Sequence, residues 1–278
     1  MKNFFKAVGK ALLYFAVYFG TQIGVSFVFS ILMSTKLTME MMETEGTIDA
    51  ALLSEQLMDR VMDQAMLMTF IAGVLTLLIY WIVFLIRKKK FVKEVGVSVI
   101  PAKSIFPIAL FGISFNIIIS VLLSVIPFPQ SWMESYVSNS AVINTTLPAW
   151  IATVIGAPIV EEVVFRGLMY GRLKKGMPAV VAAILASLCF GAAHGTIIWA
   201  GYAFILGMIC IWTYERYQSL TANILLHMSF NLAGMVLTAL AIESQAVTWI
   251  LFAISVVVGA GALVWMANAS KDIPKKED

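Results

Sequence analysis

The apolar runs of this chain decide most of what it can be. Stretches of about 20 apolar residues, the length at which a helix crosses a bilayer, fall at 11–33, 64–86, 104–127, 148–170, 178–195, 197–214, 220–241 and 246–268. They predict an all-α fold, a polytopic membrane helical bundle of about eight transmembrane helices. The runs 178–195 and 197–214 are short and closely joined, so seven is the alternative count. With 60% hydrophobic and 13% charged residues, the chain is too apolar for a water-soluble globular domain, whose apolar share is closer to about half.

The charges between the runs set a direction. Lys2, Lys6 and Lys10 precede the first run, and Arg87 to Lys90 with Lys93 follow the second. Arg172, Lys174 and Lys175 follow the fourth, Arg216 follows the sixth, and Lys271, Lys275 and Lys276 close the chain. The segment after the first run is instead acidic, with Glu40, Glu43, Glu45, Asp49, Glu55, Asp59 and Asp63 against Lys36 and Arg60. The positive-inside rule then puts both termini in the cytoplasm, with an even number of spans. The net charge of +3 is a topology signal, and no nucleic acid is expected as a partner. Membrane lipid is, in a multi-pass protein of the plasma membrane. The short loops and the lack of an organelle signal point to a bacterial cell. Lys2 to Met33 has the basic start and apolar run of a secretory signal, but the run is too long and no small-x-small site closes it, so an uncleaved span is expected. Cys189 and Cys210 sit in different runs without CxxC spacing, which predicts neither a disulfide nor a thiol site.

Three segments are expected. Residues 1–147 hold spans 1–3, with an outside amphipathic segment at 34–63. There Met41, Leu52, Leu53, Leu57 and Val61 interleave with the acids at near-helical spacing, predicting a helix lying on the membrane surface. A second outside loop, 128–147, is opened by Pro127 and Pro129. Residues 148–268 hold spans 4–8, the expected catalytic or binding core, and 269–278 form a charged cytoplasmic tail. The division follows the polar groups: near the centres of the first three spans only the amides Gln22 and Asn116 occur.

The costly groups all lie in the second half. Its two histidines, His194 and His227, and the acids of Glu161-Glu162-Val163-Val164-Phe165-Arg166 are set in apolar runs. Ionisable groups at membrane depth face a protein interior or a water-filled cavity. Glu161 and His194 are nearly equidistant from the turn at Gly176-Met177-Pro178, so an antiparallel hairpin sets both near mid-membrane, about 20–25 Å from its tip. His227 lies about 14 Å past the Glu215-Arg216 turn, compatible with the same layer, and Asn231 shares its helix face. Three helices can thus converge a carboxylate, two imidazoles and an amide on one pocket. Glu162 and Arg166, four residues apart in the favourable order, read as a structural ion pair in low dielectric; direct catalysis by Glu162 is the alternative. Pro158 should kink or loosen the helix beside Glu161. Small residues at Gly156, Gly167, Gly171, Gly191, Ala193 and Gly195 would let helices approach closely.

Glu161-Glu162-x-x-x-Arg166, Phe190-x-x-x-His194 and His227-x-x-x-Asn231 resemble, in that order, the three motifs of the CPBP family, the CAAX-processing and bacteriocin-processing intramembrane endopeptidases. The resemblance covers roughly residues 148–240, and residues 1–147 match only in being helical spans. It implies an intramembrane endopeptidase that hydrolyses a peptide bond in a membrane-associated or lipidated peptide or protein. Glu161 would be the general base, acting with His194 on the hydrolytic water. His227 and Asn231 would steady the tetrahedral oxyanion, with Glu162 and Arg166 supporting. His194, His227 and Glu161 are also a sufficient ligand set for catalytic Zn2+ with a water in the fourth position. No HExxH helix is present, so a metal-free glutamate mechanism stands beside the zinc one. The alternative function is a non-hydrolytic bacteriocin-immunity or scaffold membrane protein. A proton relay or transporter is a third class, but such folds show polar interruptions in both halves, and the first half here lacks them.

Overall fold

The computed structural model of the chain describes residues 2–140, 146–271 and 273, and these form helices with no strand. The elements are α1 (Lys2–Glu45), α2 (Ala50–Ile86), α3 (Phe91–Glu94), α4 (Ala102–Val125), α5 (Gln130–Ser140), α6 (Leu147–Leu173), α7 (Ala179–Ala192), α8 (Ile197–Tyr217), α9 (Leu220–Leu240) and α10 (Gln245–Ala269). Seven of them, α1, α2, α4, α6, α8, α9 and α10, are long and apolar enough to cross a membrane.

The expected eighth span at 178–195 is shorter than its apolar run suggests. Helix α7 has 14 residues, about 21 Å at about 1.5 Å per residue, against about 30 Å of hydrocarbon. Its limits have local causes. Pro178 precedes its first turn, and Gly195, at φ +82°, adopts the left-handed conformation that turns the chain back directly after His194. Thr196 then caps α8, its hydroxyl accepting from the Trp199 N–H. The two helices run antiparallel and close together: a Cβ on Gly191 would stand 2.6 Å from the Ala200 carbonyl oxygen. Because α7 rises and α8 returns, the short helix does not change which end the later elements reach.

That end is the basic one. Arg172 of α6 reaches Glu94 at 3.1 Å, Lys174 reaches Glu215 at 3.2 Å, and Arg216 donates to the Ala267 carbonyl at 3.4 Å. Gly176 rests against Asn3, Phe4 and Ala7 of α1. The start of α1 and the end of α10 therefore lie at the same end as these cations.

The segment 34–63 departs from expectation. It does not lie flat: α1 and α2 continue through it as an antiparallel hairpin with a turn at 46–49. Gly46 takes φ +69° after α1, and Asp49 caps α2 by accepting from the N–H groups of Ala51 and Leu52 at 2.9 and 3.1 Å. Leu37 and Met41 are buried and the acids Glu40, Glu43, Glu55, Asp59 and Asp63 are exposed, so the apolar stripe serves helix against helix. In the second outside segment, 130–140 is helical, as α5, and 141–145 lie outside the described residues.

Helix α6 runs through the middle, flanked by α1, α2, α7, α8 and α9. Every residue from Glu162 to Tyr170 is buried, as a helix surrounded on all sides requires. Phe165 meets Phe15, Tyr18 and Phe190 edge-on, with centroids 6.1, 5.6 and 5.1 Å away.

The basic end carries a titratable brace. Glu94 sits between Lys89 at 2.8 Å and Arg172 at 3.1 Å. The hydrogen bond from Lys89 and the attraction of Lys89, Arg172 and Lys175 hold its carboxyl below the usual carboxylate range. A depressed carboxyl adds stability that is present above its unfolded value and lost as pH falls through its folded value. For a partly exposed pair this amounts to about 0.2–1 kcal/mol. Thermal unfolding on either side of pH 4 should show that component in the native chain, and Glu94→Gln should lack it.

Candidate active site

Two π-helical stretches interrupt α6, at Ile151–Gly156 and Glu162–Tyr170. Such widened turns recur at functional sites because they free backbone groups and re-aim side chains. The first leaves one carbonyl free. In an i→i+5 register the Thr153 carbonyl would accept from residue 158, which is a proline and has no N–H. The Ala157 N–H goes to Ala152 instead. Thr153 is left with a carbonyl that no helix N–H satisfies, and the Asn231 amide of α9 donates to it at 2.8 Å. The proline expected to loosen the helix thus ties α6 to α9.

The second stretch carries the acids. Glu162 and Arg166 form the anticipated ion pair, Nη1 to Oε1 at 2.8 Å, with side chains 0% and 1% exposed. Glu162 does more than neutralise the arginine: His227 Nδ1 lies 2.9 Å from its Oε1, and Asn223 Nδ2 donates to its Oε2 at 3.3 Å. The Arg166 guanidinium stacks over the Phe190 ring, 4.1 Å from its centroid. Sequence reasoning missed Asn223, although the spacing Asn223, His227, Asn231 repeats every four residues along one face of α9.

Each histidine is held at one nitrogen. His194 Nδ1 is 2.7 Å from the Phe190 carbonyl oxygen; a carbonyl only accepts, so Nδ1 carries the hydrogen and the neutral ring has its lone pair on Nε2. His227 Nδ1 likewise donates to the Glu162 carboxylate, which leaves Nε2 facing Glu161 Oε2 at 3.7 Å. Glu161 itself, 14% exposed, has no partner on its own helix. Its carboxylate, both imidazoles and Asn231 line one cavity of about 180 Å³, whose remaining wall includes Trp199, Tyr202 and Phe230. The six residues singled out from the sequence therefore form two layers. Glu161, His194, His227 and Asn231 face the cavity, and Glu162 with Arg166 lies behind His227.

The zinc set expected from His194, His227 and Glu161 does not close up as a group. Among the described residues no three His, Cys, Asp or Glu side chains stand close enough together to hold a metal ion. What the arrangement offers is a carboxylate and imidazole lone pairs beside amide N–H groups in a largely apolar chamber. That set can abstract a proton from water and donate to a developing oxyanion.

Fold and site together define a multi-pass helical membrane protein with a carboxylate, two imidazoles and an amide gathered inside its helical bundle. Residues 143–233 match the family model of the Rce1-like type II CAAX prenyl endopeptidases. The match agrees with the CPBP-type motifs and spans all six residues of the two layers. No curated protein and no solved structure matches the chain.

Proposed function

We propose that this chain is an intramembrane endopeptidase that uses a glutamate-activated water to hydrolyse a peptide bond in a membrane-associated or lipidated peptide. The observation that carries the reading is the convergence of Glu161, His194, His227 and Asn231 on one chamber inside the bundle. The protease-family match over the same residues supports it.

In this reading Glu161 takes a proton from water as the water oxygen attacks the scissile carbonyl carbon. His194, its Nδ1–H fixed by the Phe190 carbonyl, accepts the water's other hydrogen at Nε2 and orients the attack. The negative charge forms on the former carbonyl oxygen. It is met by the Asn231 N–H not used by Thr153 and by His227 when its Nε2 carries a proton, the ring being held at Nδ1 by Glu162. An oriented donor of this kind is worth about 3 kcal/mol in the transition state. The C–N bond then breaks, and Glu161 returns its proton to the leaving amine. No step is assigned to a metal. Assays of wild type and Glu161→Gln on membrane-reconstituted peptides, with and without chelator, test the reading. Cleavage that depends on Glu161 and persists with chelator supports it, and cleavage abolished by chelator replaces it with a metal-dependent one.

Pro158 gives a separate expectation. Pro158→Ala restores an N–H that can take the Thr153 carbonyl, releasing Asn231 from its fixed orientation. Turnover should fall by less than the loss of a whole oxyanion donor, about 10²–10³-fold, while thermal stability holds or rises. A purely structural proline would lower both together.

A further inference from the structure

The chamber beside Glu161 ends toward the basic end at a layer of buried side chains and shares a wall with a second cavity on its other side. On α6, which runs toward the basic end, its lining extends from Ala152 to Glu161 and no further. Past Glu161 come the buried Glu162–Arg166 pair and Phe165, Leu168, Met169 and Tyr170, each 2% exposed or less. On α9, which runs the other way, the lining starts at His227 and proceeds to Asn231.

Thr153, Trp199, Tyr202, Phe230 and Asn231 line this chamber and also a second cavity of about 390 Å³. The larger cavity reaches Leu237 and Thr238 near the end of α9, and Tyr136 and Ser140 of α5. Thr238 is about 16 Å beyond His227 along the helix, the span of about five residues of extended chain at about 3.3 Å each. The wall mixes Leu123, Leu237 and Phe230 with the hydrogen-bonding groups of Asn116, Ser120 and Thr238. An extended peptide needs both, since its backbone must be paired wherever water is excluded.

We infer that substrate reaches Glu161 from the end of the molecule opposite the basic one, and that the larger cavity holds the stretch of peptide flanking the scissile bond on that side. The positive-inside rule makes that end the extracytoplasmic one. The word substrate rests on the endopeptidase reading; the route does not.

Cysteine accessibility in sealed vesicles of both orientations tests it. Thr153→Cys, in the wall shared by the two cavities, is made in a chain with Cys189→Ser and treated with a membrane-impermeant thiol reagent. Ile48→Cys, at the turn between α1 and α2, reports the far side, and Val99→Cys, between α3 and α4, reports the basic side. Thr153→Cys should label from the side that labels Ile48→Cys and lose labelling from the other. Thr69→Cys, which lines the inner chamber, should follow the same pattern and serves if Thr153→Cys fails to fold. Labelling from the Val99 side, from both sides, or from neither while Ile48→Cys reacts overturns the route. Adding Ser120→Trp to fill the larger cavity should slow the labelling of Thr153→Cys and raise KM more than it lowers kcat; unchanged labelling overturns the continuity of the two spaces. Labelling requires no turnover. Far-side labelling beside a wild-type chain that cleaves no peptide refutes the endopeptidase reading alone, and basic-side labelling beside a wild-type chain that cleaves refutes the route alone.

Discussion

Glu161→Gln should lower peptide cleavage by about 10²–10⁴-fold, the contribution of a positioned general base, and leave the folded chain as stable as before. Glutamine keeps the volume of the side chain and one accepting oxygen, with a donating amide in place of the other, but cannot accept the proton. The stability half of the expectation follows from the surroundings of Glu161. Its carboxylate is partly exposed to the chamber and approaches His227 at 3.7 Å, beyond hydrogen-bond distance. Neutralising it therefore breaks no buried bond. Thermal unfolding in detergent and cleavage of a membrane-reconstituted peptide, measured on the same preparation, separate the two effects.

Arg166→Met should act in the opposite way, on the fold first. Its guanidinium is 1% exposed, bonded to Glu162 and stacked on Phe190. Removing one member of a buried pair leaves an uncompensated charge and costs about 3–5 kcal/mol. Joining it with Glu162→Gln removes that charge, so the double variant should be more stable than Arg166→Met alone. It should still cleave poorly, because Glu162 also orients His227 through Nδ1 at 2.9 Å. Unfolding measurements on the double-mutant cycle check the order. Equal destabilisation by the single and double variants would show that the arginine acts by filling space.

The span pattern was open to sequence reading because hydrocarbon demands long apolar helices, and seven of the expected runs are such helices. The shortness of α7 was not, since residues 178–195 are apolar apart from Ser187 and His194, and only Pro178 and Gly195 mark where the helix begins and the chain reverses. Interleaved acids and apolar residues at 34–63 fit a helix on a membrane and a helix on another helix equally well; Gly46 and Asp49 were the local sign of a turn. The Glu162–Arg166 pair was readable because its partners are four residues apart on one helix. The bonds from His227 and Asn223 to Glu162 cross between helices, and no spacing rule within one helix encodes them. Nor did composition signal the π-helical turns. The missing N–H of Pro158 explains the free Thr153 carbonyl only once the register of α6 is known.

The most direct test of the account is cleavage in H2¹⁸O with the products read by mass spectrometry. Wild-type chain acting on a membrane-anchored peptide should leave one ¹⁸O in the newly formed carboxylate, and Glu161→Gln should leave product and label at background. Labelled product formed at equal rates by both chains would contradict the assignment of Glu161 as the base, and product without the label would contradict hydrolysis itself.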